Sequence, residues 1–430
     1  MNKNRLVFCI FMVLLAACRK DRKDEVPPEI RIFAPSGSAN HQLPYTVNVD
    51  AEVSDETKLE SVTVQIVDAN MAPIGEGADV QVSSNGFRFN VPLTVDDPHL
   101  YSGVYYVKVK AGDGQNSTSR YAQLNLVEIP LQLKEVLIAE TPSSSQTEIR
   151  HLNNNQLQSL LSISNSFSNM EVSGWHQQIA VAGKNADPLY VYDAGSLLPD
   201  HTIAGSGLFP SDYFSRIYYS STAGKKLITS HHNGYVFGYD NNGTRVYSLF
   251  TYANYIVHET LETDDYMIAE IESPSSSRLL VVFYKTTGVV KFSQTVPGII
   301  QRIYFDGNNT AILFSNDGTQ ARVLECDLTT GNITEPCSLP SGTINDVSPI
   351  DINNYLLAMN GYLVRYNHSS CGVIYLVNGI SPADIEYEKT SGRVYTAEGY
   401  LLSEYDAAGN LLNSWSNTNS IKALRLLYNK

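Results

Sequence analysis

The stretch Gly361-Tyr362-Leu363-Val364-Arg365-Tyr366-Asn367 decides the fold. It opens with glycine, alternates apolar with other residues, and ends in an aromatic residue followed by Asn. The same pattern, ending in Asp, returns at residues 234–240 and, one residue longer, at 399–406. Alternation with period two predicts a β-strand with one buried face, and Asp or Asn at its end predicts a tight turn.

Weaker copies of this pattern bring the number of repeats to seven. The residues that end the copies are Asn153, Asp193, Asp240, Lys285, Asp327, Asn367 and Asp406. Successive copies lie between 39 and 47 residues apart, and short strand candidates fill the intervals. A period of about 40 residues that contains only strands indicates a β-propeller with one blade per repeat. The sequence therefore predicts an all-β chain with a seven-bladed propeller over residues 131–430.

The two ends of this region complete each other. The first repeat supplies only three strand candidates, at residues 135–140, 148–151 and 157–163. One candidate, residues 421–427, remains after the last full repeat. We expect it to lie beside residues 135–140 as the inner strand of the first blade, because this pairing closes the ring and hides two sheet edges.

Residues 27–130 predict a separate β-sandwich. Seven strand candidates fill this segment, and Val47, Val49, Ala51 and Val53 show the alternation of a half-buried strand. The run Gly103-Val104-Tyr105-Tyr106-Val107 resembles the strand-F signature of immunoglobulin domains. The resemblance implies an immunoglobulin-like spacer in which the Tyr105 hydroxyl bonds back to the chain. Valine stands at position 107, where antibody domains carry cysteine, so it implies no inter-sheet disulfide.

The first residues predict a targeting signal for export. Lys3 and Arg5 precede an apolar run from Leu6 to Leu15, which is the order of a secretory signal over residues 1–17. Leu15-Ala16-Ala17-Cys18 resembles the bacterial lipobox, which implies lipidation of Cys18 and anchoring in a membrane. An ordinary signal peptide with an incidental cysteine is the alternative. Residues 18–26 are charged and predict a solvated tether.

The residue after Cys18 favours the outer membrane over the inner one. It is Arg19 rather than the aspartate linked with inner-membrane retention in some bacteria. The charged tether resembles, in part, those of surface-exposed lipoproteins of Bacteroidota, and the choice of leaflet stays open.

Turns of the propeller region carry a further resemblance. Thr286-Thr287-Gly288, Thr329-Thr330-Gly331 and Ala407-Ala408-Gly409 resemble turns of quinoprotein-like and YVTN-like propellers. The Trp-Asp endings of WD40 repeats are missing. Only two tryptophans occur in the sequence, so the tryptophan docking motifs of quinone-dependent enzymes are absent and we predict no cofactor. The resemblance implies the fold alone.

Composition excludes some functions. The formal charge of −14 argues against nucleic-acid binding, and no Cys/His run has metal-ligand spacing. We expect Cys326, Cys337 and Cys371 to be buried or free thiols, because Cys326 and Cys337 would not face each other across their hairpin.

Three further groups of side chains with catalytic potential read as structural. The residues are His231 and His232 in a predicted surface turn, Glu259 in a plain strand, and Glu262, Asp264 and Asp265 in a single short loop.

The best functional candidate is an aromatic rim on one face of the propeller. Turns between the second and third strands meet there with the loops between blades. The candidate binding residues are Phe209, Tyr213, Phe214, Tyr235, Tyr252, Tyr255, Tyr362 and Tyr400. Tyrosine offers stacking area and a hydroxyl, which suits sugars or peptides. The alternative is that these aromatics pack between blades.

We therefore predict an outer-membrane lipoprotein that binds a glycan, a peptide or a partner protein and is not an enzyme. The alternative is a propeller hydrolase or lyase acting on an extracellular polymer, for which charged residues would have to converge from several blades. Mostly Tyr, Ser and Asn are expected on that face.

Overall fold

The computed structural model describes residues 25–37, 39–206 and 212–430. The chain divides into two compact units, with the boundary between Pro130 and Leu131. All regular secondary structure of the described residues consists of β-strands. Among these residues there is no helix long and apolar enough to cross a bilayer. Cys18 and Phe209 lie outside the described residues.

The N-terminal unit contains eight strands in the part that the structure describes. They are β1 (Glu29–Ala34), β2 (Asn40–Gln42), β3 (Tyr45–Ser54), β4 (Ser61–Val67), β5 (Pro73–Val80), β6 (Gly86–Val95), β7 (Gly103–Gly112) and β8 (Ser117–Val127). One sheet has the order β1-β3-β6 and the other the order β2-β8-β7-β4-β5. The sequence missed β2, a three-residue strand without alternation that is held by parallel pairing to the end of β8.

The two sheets share one apolar core. The alternating residues of β3 that were expected to be inward, from Val47 to Val53, are buried there with Val107 of β7. The Tyr105 hydroxyl donates a hydrogen bond to the carbonyl of Tyr101, at 2.9 Å. This confirms the bond back to the chain that the sequence predicts. The apolar core of this unit is its own, so burial of that core supplies folding free energy without the C-terminal unit.

The C-terminal unit is a β-propeller. Its described strands are β9 (Leu133–Ser143), β10 (Gln146–Asn153), β11 (Gln156–Ile163), β12 (Asn169–Ser173), β13 (Gln178–Ala182), β14 (Leu189–Asp193), β15 (Pro199–Ile203), β16 (Phe214–Tyr219), β17 (Leu227–His231), β18 (Tyr235–Tyr239), β19 (Arg245–Phe250), β20 (Ile256–Glu262), β21 (Tyr266–Glu272), β22 (Arg278–Tyr284), β23 (Val290–Thr295), β24 (Ile299–Phe305), β25 (Thr310–Asp317), β26 (Gln320–Asp327), β27 (Ile333–Ser341), β28 (Ile344–Pro349), β29 (Asn354–Met359), β30 (Gly361–Asn367), β31 (Gly372–Ile380), β32 (Asp384–Glu388), β33 (Arg393–Glu398), β34 (Leu401–Tyr405), β35 (Leu411–Ser416) and β36 (Ile421–Tyr428). They form four-stranded antiparallel sheets, six of them from consecutive strands. The innermost strands β12, β16, β20, β24, β28, β32 and β36 contact one another in a closed ring.

The last strand closes this ring. β36 pairs antiparallel with β9, so that Leu424 faces Ile138 and Leu426 faces Val136. The sheet order β11-β10-β9-β36 makes β36 its innermost strand, which confirms the pairing predicted for residues 421–427. The Trp415 indole also donates to the Asn155 carbonyl at 3.1 Å, which ties the last sheet to the first.

The repeated pattern forms the third strand of a sheet. The residues at its two ends explain why the pattern begins with glycine and ends with Asp or Asn. Gly234 has φ +84°, and a Cβ there would lie 2.3 Å from the Tyr252 carbonyl oxygen, so only glycine fits. At the other end, Asp240 Oδ1 accepts hydrogen bonds from the amides of Asn242 and Thr244. Asp406 does the same for Ala408 and Asn410, which is ordinary turn chemistry for aspartate.

The cysteine prediction was wrong for two of the three residues. Cys337 of β27 and Cys371, in the turn between β30 and β31, form a disulfide with Cα atoms 5.3 Å apart. The bond joins the outermost strand of one sheet to the next sheet. Sequence reasoning weighed only pairs within one hairpin, whereas adjacent sheets bring distant residues together. Cys326 is a free thiol, and it is buried as expected.

Candidate functional site

The seven predicted aromatic residues that the structure describes do not assemble into one rim. Phe214 is fully buried, and Tyr213 packs edge-on against it with ring centroids 5.0 Å apart. Tyr235 packs against Phe237 of the same core, with centroids 5.3 Å apart. The prediction that Phe214 is exposed to a ligand was therefore wrong. Its side chain fills the space between two sheets, where burial of apolar surface is favourable.

The other predicted aromatics belong to different parts of the propeller. Tyr252 and Tyr255 pack on each other at 5.2 Å and against another core. The Tyr362 hydroxyl donates to the Ser341 carbonyl at 3.0 Å while its ring packs on a third core. Tyr400 is 60% exposed. The alternative interpretation, packing between sheets, fits all of these residues except Tyr400.

His231 also differs from its prediction. It is fully buried in β17 among Tyr213, Phe214 and Phe237, rather than lying in a surface turn. Burial lowers the pKa of its imidazole to about 3, so the ring is neutral at physiological pH. Its Nε2 lies 2.6 Å from the Thr229 hydroxyl. The turn begins one residue later than expected, and His231 is a core residue.

A cleft opens where three innermost strands begin, and we call it the mouth cleft. It has a volume of about 680 Å³. Its lining residues are Gly298, Ile299, Gln301, Asn316, Gly318, Thr343, Ile344, Asn345, Ser381 and Ala383. They come from the starts of β24 and β28, the segment before β32, and the end of β25 with the turn that follows it. No lining residue is charged, and five carry an amide or a hydroxyl.

Asn316 builds the wall of the mouth cleft. Its side-chain amide donates to the carbonyl of Ile344 at 2.8 Å and accepts from the amide of the same residue at 2.8 Å. Asn345 donates to the Pro382 carbonyl at 2.9 Å. Gly298, with φ +78°, lies so near Asn316 that a Cβ would come within 2.1 Å of its carbonyl oxygen. The cleft is thus fixed by hydrogen bonds between neighbouring sheets, which makes it largely pre-formed.

Further along the channel, charged residues converge from all seven innermost strands of the described propeller. We call them the axial cluster. They are Glu171 (β12), Arg216 (β16), Glu259 (β20), Arg302 (β24), Asp346 (β28), Asp384 and Glu386 (β32), and Arg425 (β36). All except Asp384 line a cavity of about 210 Å³, which we call the axial pocket. The expectation of mostly Tyr, Ser and Asn concerned the face at the mouth of the channel and did not extend to this cluster.

Ion pairs connect the members of the axial cluster across sheet boundaries. Arg425 Nη2 lies 2.8 Å from Glu171 Oε1, and its Nη1 lies 2.9 Å from Asp384 Oδ2. Arg302 Nη2 lies 2.5 Å from Asp346 Oδ1. Positive and negative members of the cluster alternate around the axis except between β28 and β32, which both carry carboxyl groups. Each ion pair holds two neighbouring sheets together.

A fourth pair, Arg216 Nε with Glu259 Oε2 at 3.3 Å, joins β16 to β20. Glu259 lies in a strand as predicted, but it faces the channel.

Burial changes the proton affinity of these carboxyl groups. It raises the pKa of Glu386 to about 8, although Arg425 acts in the opposite direction. It also raises the pKa of Glu259 and of Asp384. For Asp346 burial is the largest single effect, but the Arg302 and Arg425 guanidinium groups and hydrogen bonds from Asp384 and the Ile385 amide together outweigh it, so its pKa is lowered. The axial pocket therefore holds both ionised and protonated carboxyl groups near neutral pH.

A sequence signal for the axial cluster exists. In most repeats a charged residue stands directly before an aliphatic residue of the innermost strand. The pairs are Glu171-Val172, Arg216-Ile217, Arg302-Ile303, Asp346-Val347, Asp384-Ile385 and Arg425-Leu426. Aligning the repeats on their first strand, rather than on the third, would have revealed it.

The loop carboxylates are separate from this pocket. Glu262 is buried and pairs with Lys226 Nζ at 2.9 Å and with Lys285 Nζ at 3.4 Å. These contacts make it a structural ion pair. In the part of the chain that the structure describes, no group of three or more His, Cys, Asp or Glu side chains is arranged to hold a metal ion.

No protein-family model matches the chain, and no curated protein matches it. Solved structures similar to it include the computationally designed Ika8 protein, at 14% identity and a TM-score of 0.49, covering 69% of this chain and 89% of that one. The Cps50 (Swd1) β-propeller domain of Myceliophteria thermophila has 12% identity and a TM-score of 0.48, covering 61% and 89%. BamB from Moraxella catarrhalis has 12% identity and a TM-score of 0.41, covering 69% and 95%. The assignment of a propeller rests on the sheet order and the closed ring of innermost strands.

Proposed function

We propose that the protein is a lipid-anchored binding protein of the cell envelope, in which an immunoglobulin-like spacer carries a seven-bladed propeller that binds a neutral glycan. The mouth cleft is the observation that carries this proposal. Side-chain amides both donate and accept hydrogen bonds, and hydroxyls do the same. They match the hydroxyl groups of a sugar, whereas the cleft offers no charged group for a charged ligand.

The lining favours a glycan over a peptide. A peptide is usually bound by an exposed strand edge or by apolar pockets for its side chains. The cleft has one prominently exposed apolar residue, Ile299, and is built from strand starts and turns. A volume of about 680 Å³ lies in the range of ligand pockets, about 300–1,000 Å³.

The axial cluster favours a second candidate, a hydrolase or lyase of an extracellular polymer. Glu386 has a pKa raised to about 8, and a carboxyl group that keeps its proton at neutral pH can act as a general acid. A carboxylate such as Asp346 stands in the same cluster. Such an enzyme would thread a polymer end through the mouth cleft towards the axial pocket.

A glycan array probed with purified residues 25–430 tests the proposal and separates the two candidates. We expect the protein to bind at least one neutral oligosaccharide of the array without hydrolysing or otherwise cleaving it. Product formation detected by mass spectrometry would establish the enzyme instead. Retention of peptides alone, with no glycan bound, would contradict the proposal.

The anchor has its own test. Changing Cys18 to Ser should move the protein from the membrane fraction to the soluble fraction, because the acyl chains that hold it can no longer be attached. Fractionation followed by immunoblotting measures this, with Cys9→Ser as the matched control that leaves the lipobox intact. Wild-type protein in the soluble fraction would refute the anchor.

A further inference from the structure

We propose that the axial pocket is a binding site for a small organic ammonium ion, with Glu386 as the carboxylate that pairs with the positive nitrogen. This inference concerns a different cavity from the mouth cleft and does not depend on the glycan.

The charges of the axial cluster leave room for one more cation. Five carboxyl groups face three guanidinium groups. Arg216 pairs with Glu259, Arg302 pairs with Asp346, and Arg425 pairs with both Glu171 and Asp384. Among the ion pairs of the described residues, the cation nearest to Glu386 is Arg425 Nη1, at 3.7 Å. That nitrogen already donates to the Leu424 carbonyl at 2.6 Å.

Protons can take the place of the missing cation. Burial raises the pKa of Glu386 to about 8, so at neutral pH this group is mostly protonated in the empty pocket. An ammonium group that enters must displace the proton. The charged and titratable groups that face Glu386 are Arg425 and Tyr428 of β36, Asp384 of its own strand, Glu171 of β12, Asp346 of β28 and Tyr304 of β24.

The remaining walls define the body of the ligand. Leu261, Ile303 and Pro349 supply apolar surface. The Tyr218 hydroxyl is buried at the pocket, beside Thr260 and the backbone of Glu262, and makes no hydrogen bond of good geometry within the described residues. Leaving a buried hydroxyl unpaired costs free energy, and a ligand hydroxyl would satisfy it. A cavity of about 210 Å³ therefore suits a short amino alcohol.

Other small ligands fit this pocket less well. An anion would compete with carboxylates for guanidinium groups that are already paired. A bare metal ion needs several converging ligands, and the described residues contain no such group. The excess of carboxylates thus selects a cation, and the apolar walls select one with a carbon body.

Isothermal titration of the full chain in detergent with ethanolamine tests this inference. Ethylene glycol and glycolate are the neutral and anionic counterparts of similar size. We expect ethanolamine to bind and both counterparts to give no heat of binding. Affinity should rise by about tenfold per pH unit between pH 6 and about 8, because the proton on Glu386 must leave, and it should level off above that range.

Two variants localise the binding to the pocket. Changing Glu386 to Gln keeps the size of the side chain and removes the charge, so affinity for ethanolamine should fall at least about tenfold and lose its pH dependence. Changing Tyr218 to Phe removes only the hydroxyl and should weaken binding about threefold to tenfold while keeping the pH dependence. Glu335→Gln, in an exposed pair on β27, is the matched control and should bind like wild type.

Three results would overturn the inference. Binding of ethylene glycol or glycolate as tightly as ethanolamine would show that the pocket does not select a cation. Unchanged binding by a folded Glu386→Gln variant would place the site elsewhere. No binding of either ethanolamine or 3-amino-1-propanol at pH 8.5 would show that the axial cluster is structural.

Discussion

Removal of residues 418–430 is expected to abolish the cooperative unfolding transition of the propeller. These residues include β36, the innermost strand of the first sheet, which contacts β9, β12 and β32. The buried aliphatic side chains Ile421, Leu424, Leu426 and Leu427 would be lost. At about 1.5–3 kcal/mol each, their sum is comparable with the whole stability of a typical domain, about 5–15 kcal/mol.

Tryptophan fluorescence measures this effect on the propeller alone. The two tryptophans of the sequence, Trp175 and Trp415, both lie in the C-terminal unit and outside the deleted segment. The shortened chain should show no urea transition, and a synthetic peptide of residues 418–430 should restore one, whereas a scrambled peptide should not. The N-terminal unit should remain folded because it has its own core. A transition at the wild-type urea concentration would contradict the role of β36.

Replacing Arg425 with Leu should lower the free energy of unfolding of the propeller by about 3–5 kcal/mol, the range for removing one partner of a buried ion pair. Arg425 is nearly buried and contacts Glu171 of β12 and Asp384 of β32. Without it, these carboxylates face one another without a cation. The variant should be least stable at high pH and should recover as the pH falls, because the carboxyl groups then take up protons and the charge disappears.

Urea titrations followed by tryptophan fluorescence at pH 5 and pH 8 test this prediction. Arg322→Leu is the matched control, because Arg322 also pairs with two carboxylates but on the surface, where ion pairs contribute little. The gap between the Arg425 variant and wild type should be wider at pH 8 than at pH 5. Equal midpoints for the two variants would mean that the axial ion pairs do not stabilise the ring.

The periodic features of the fold could be predicted from the sequence because they depend on local chemistry. Gly234, Asp240 and Asp406 serve their turns in the structure as their residue types require. The pairing of β36 with β9 followed from counting strands. The bond between Cys337 and Cys371 could not be predicted in this way, since it depends on how neighbouring sheets face each other.

The candidate site was harder to predict for the same reason. Aromatic residues such as Phe214 could serve equally well in a binding site or in the core. The space between adjacent sheets is filled by large apolar side chains, and Phe214 is one of them. Charged residues such as Arg302 and Asp346 did not stand out in the sequence, because each is the only charged residue of its strand. Their meaning appears only when the ring brings the innermost strands together around one axis.

The binding proposal is tested most directly by titrating the purified protein with a neutral oligosaccharide retained on the array. Gln301→Ala combined with Thr343→Val should weaken its binding about tenfold or more, because each lost hydrogen bond contributes about 1 kcal/mol. Both residues line the cleft but take no part in the inter-sheet hydrogen bonds of Asn316 and Asn345, so the unfolding midpoint should not shift. Asn332→Ala, in the turn at the other end of β26, should bind like wild type. Equal affinity of the cleft variant and the control, or no neutral oligosaccharide bound at all, would contradict a glycan site at the mouth cleft.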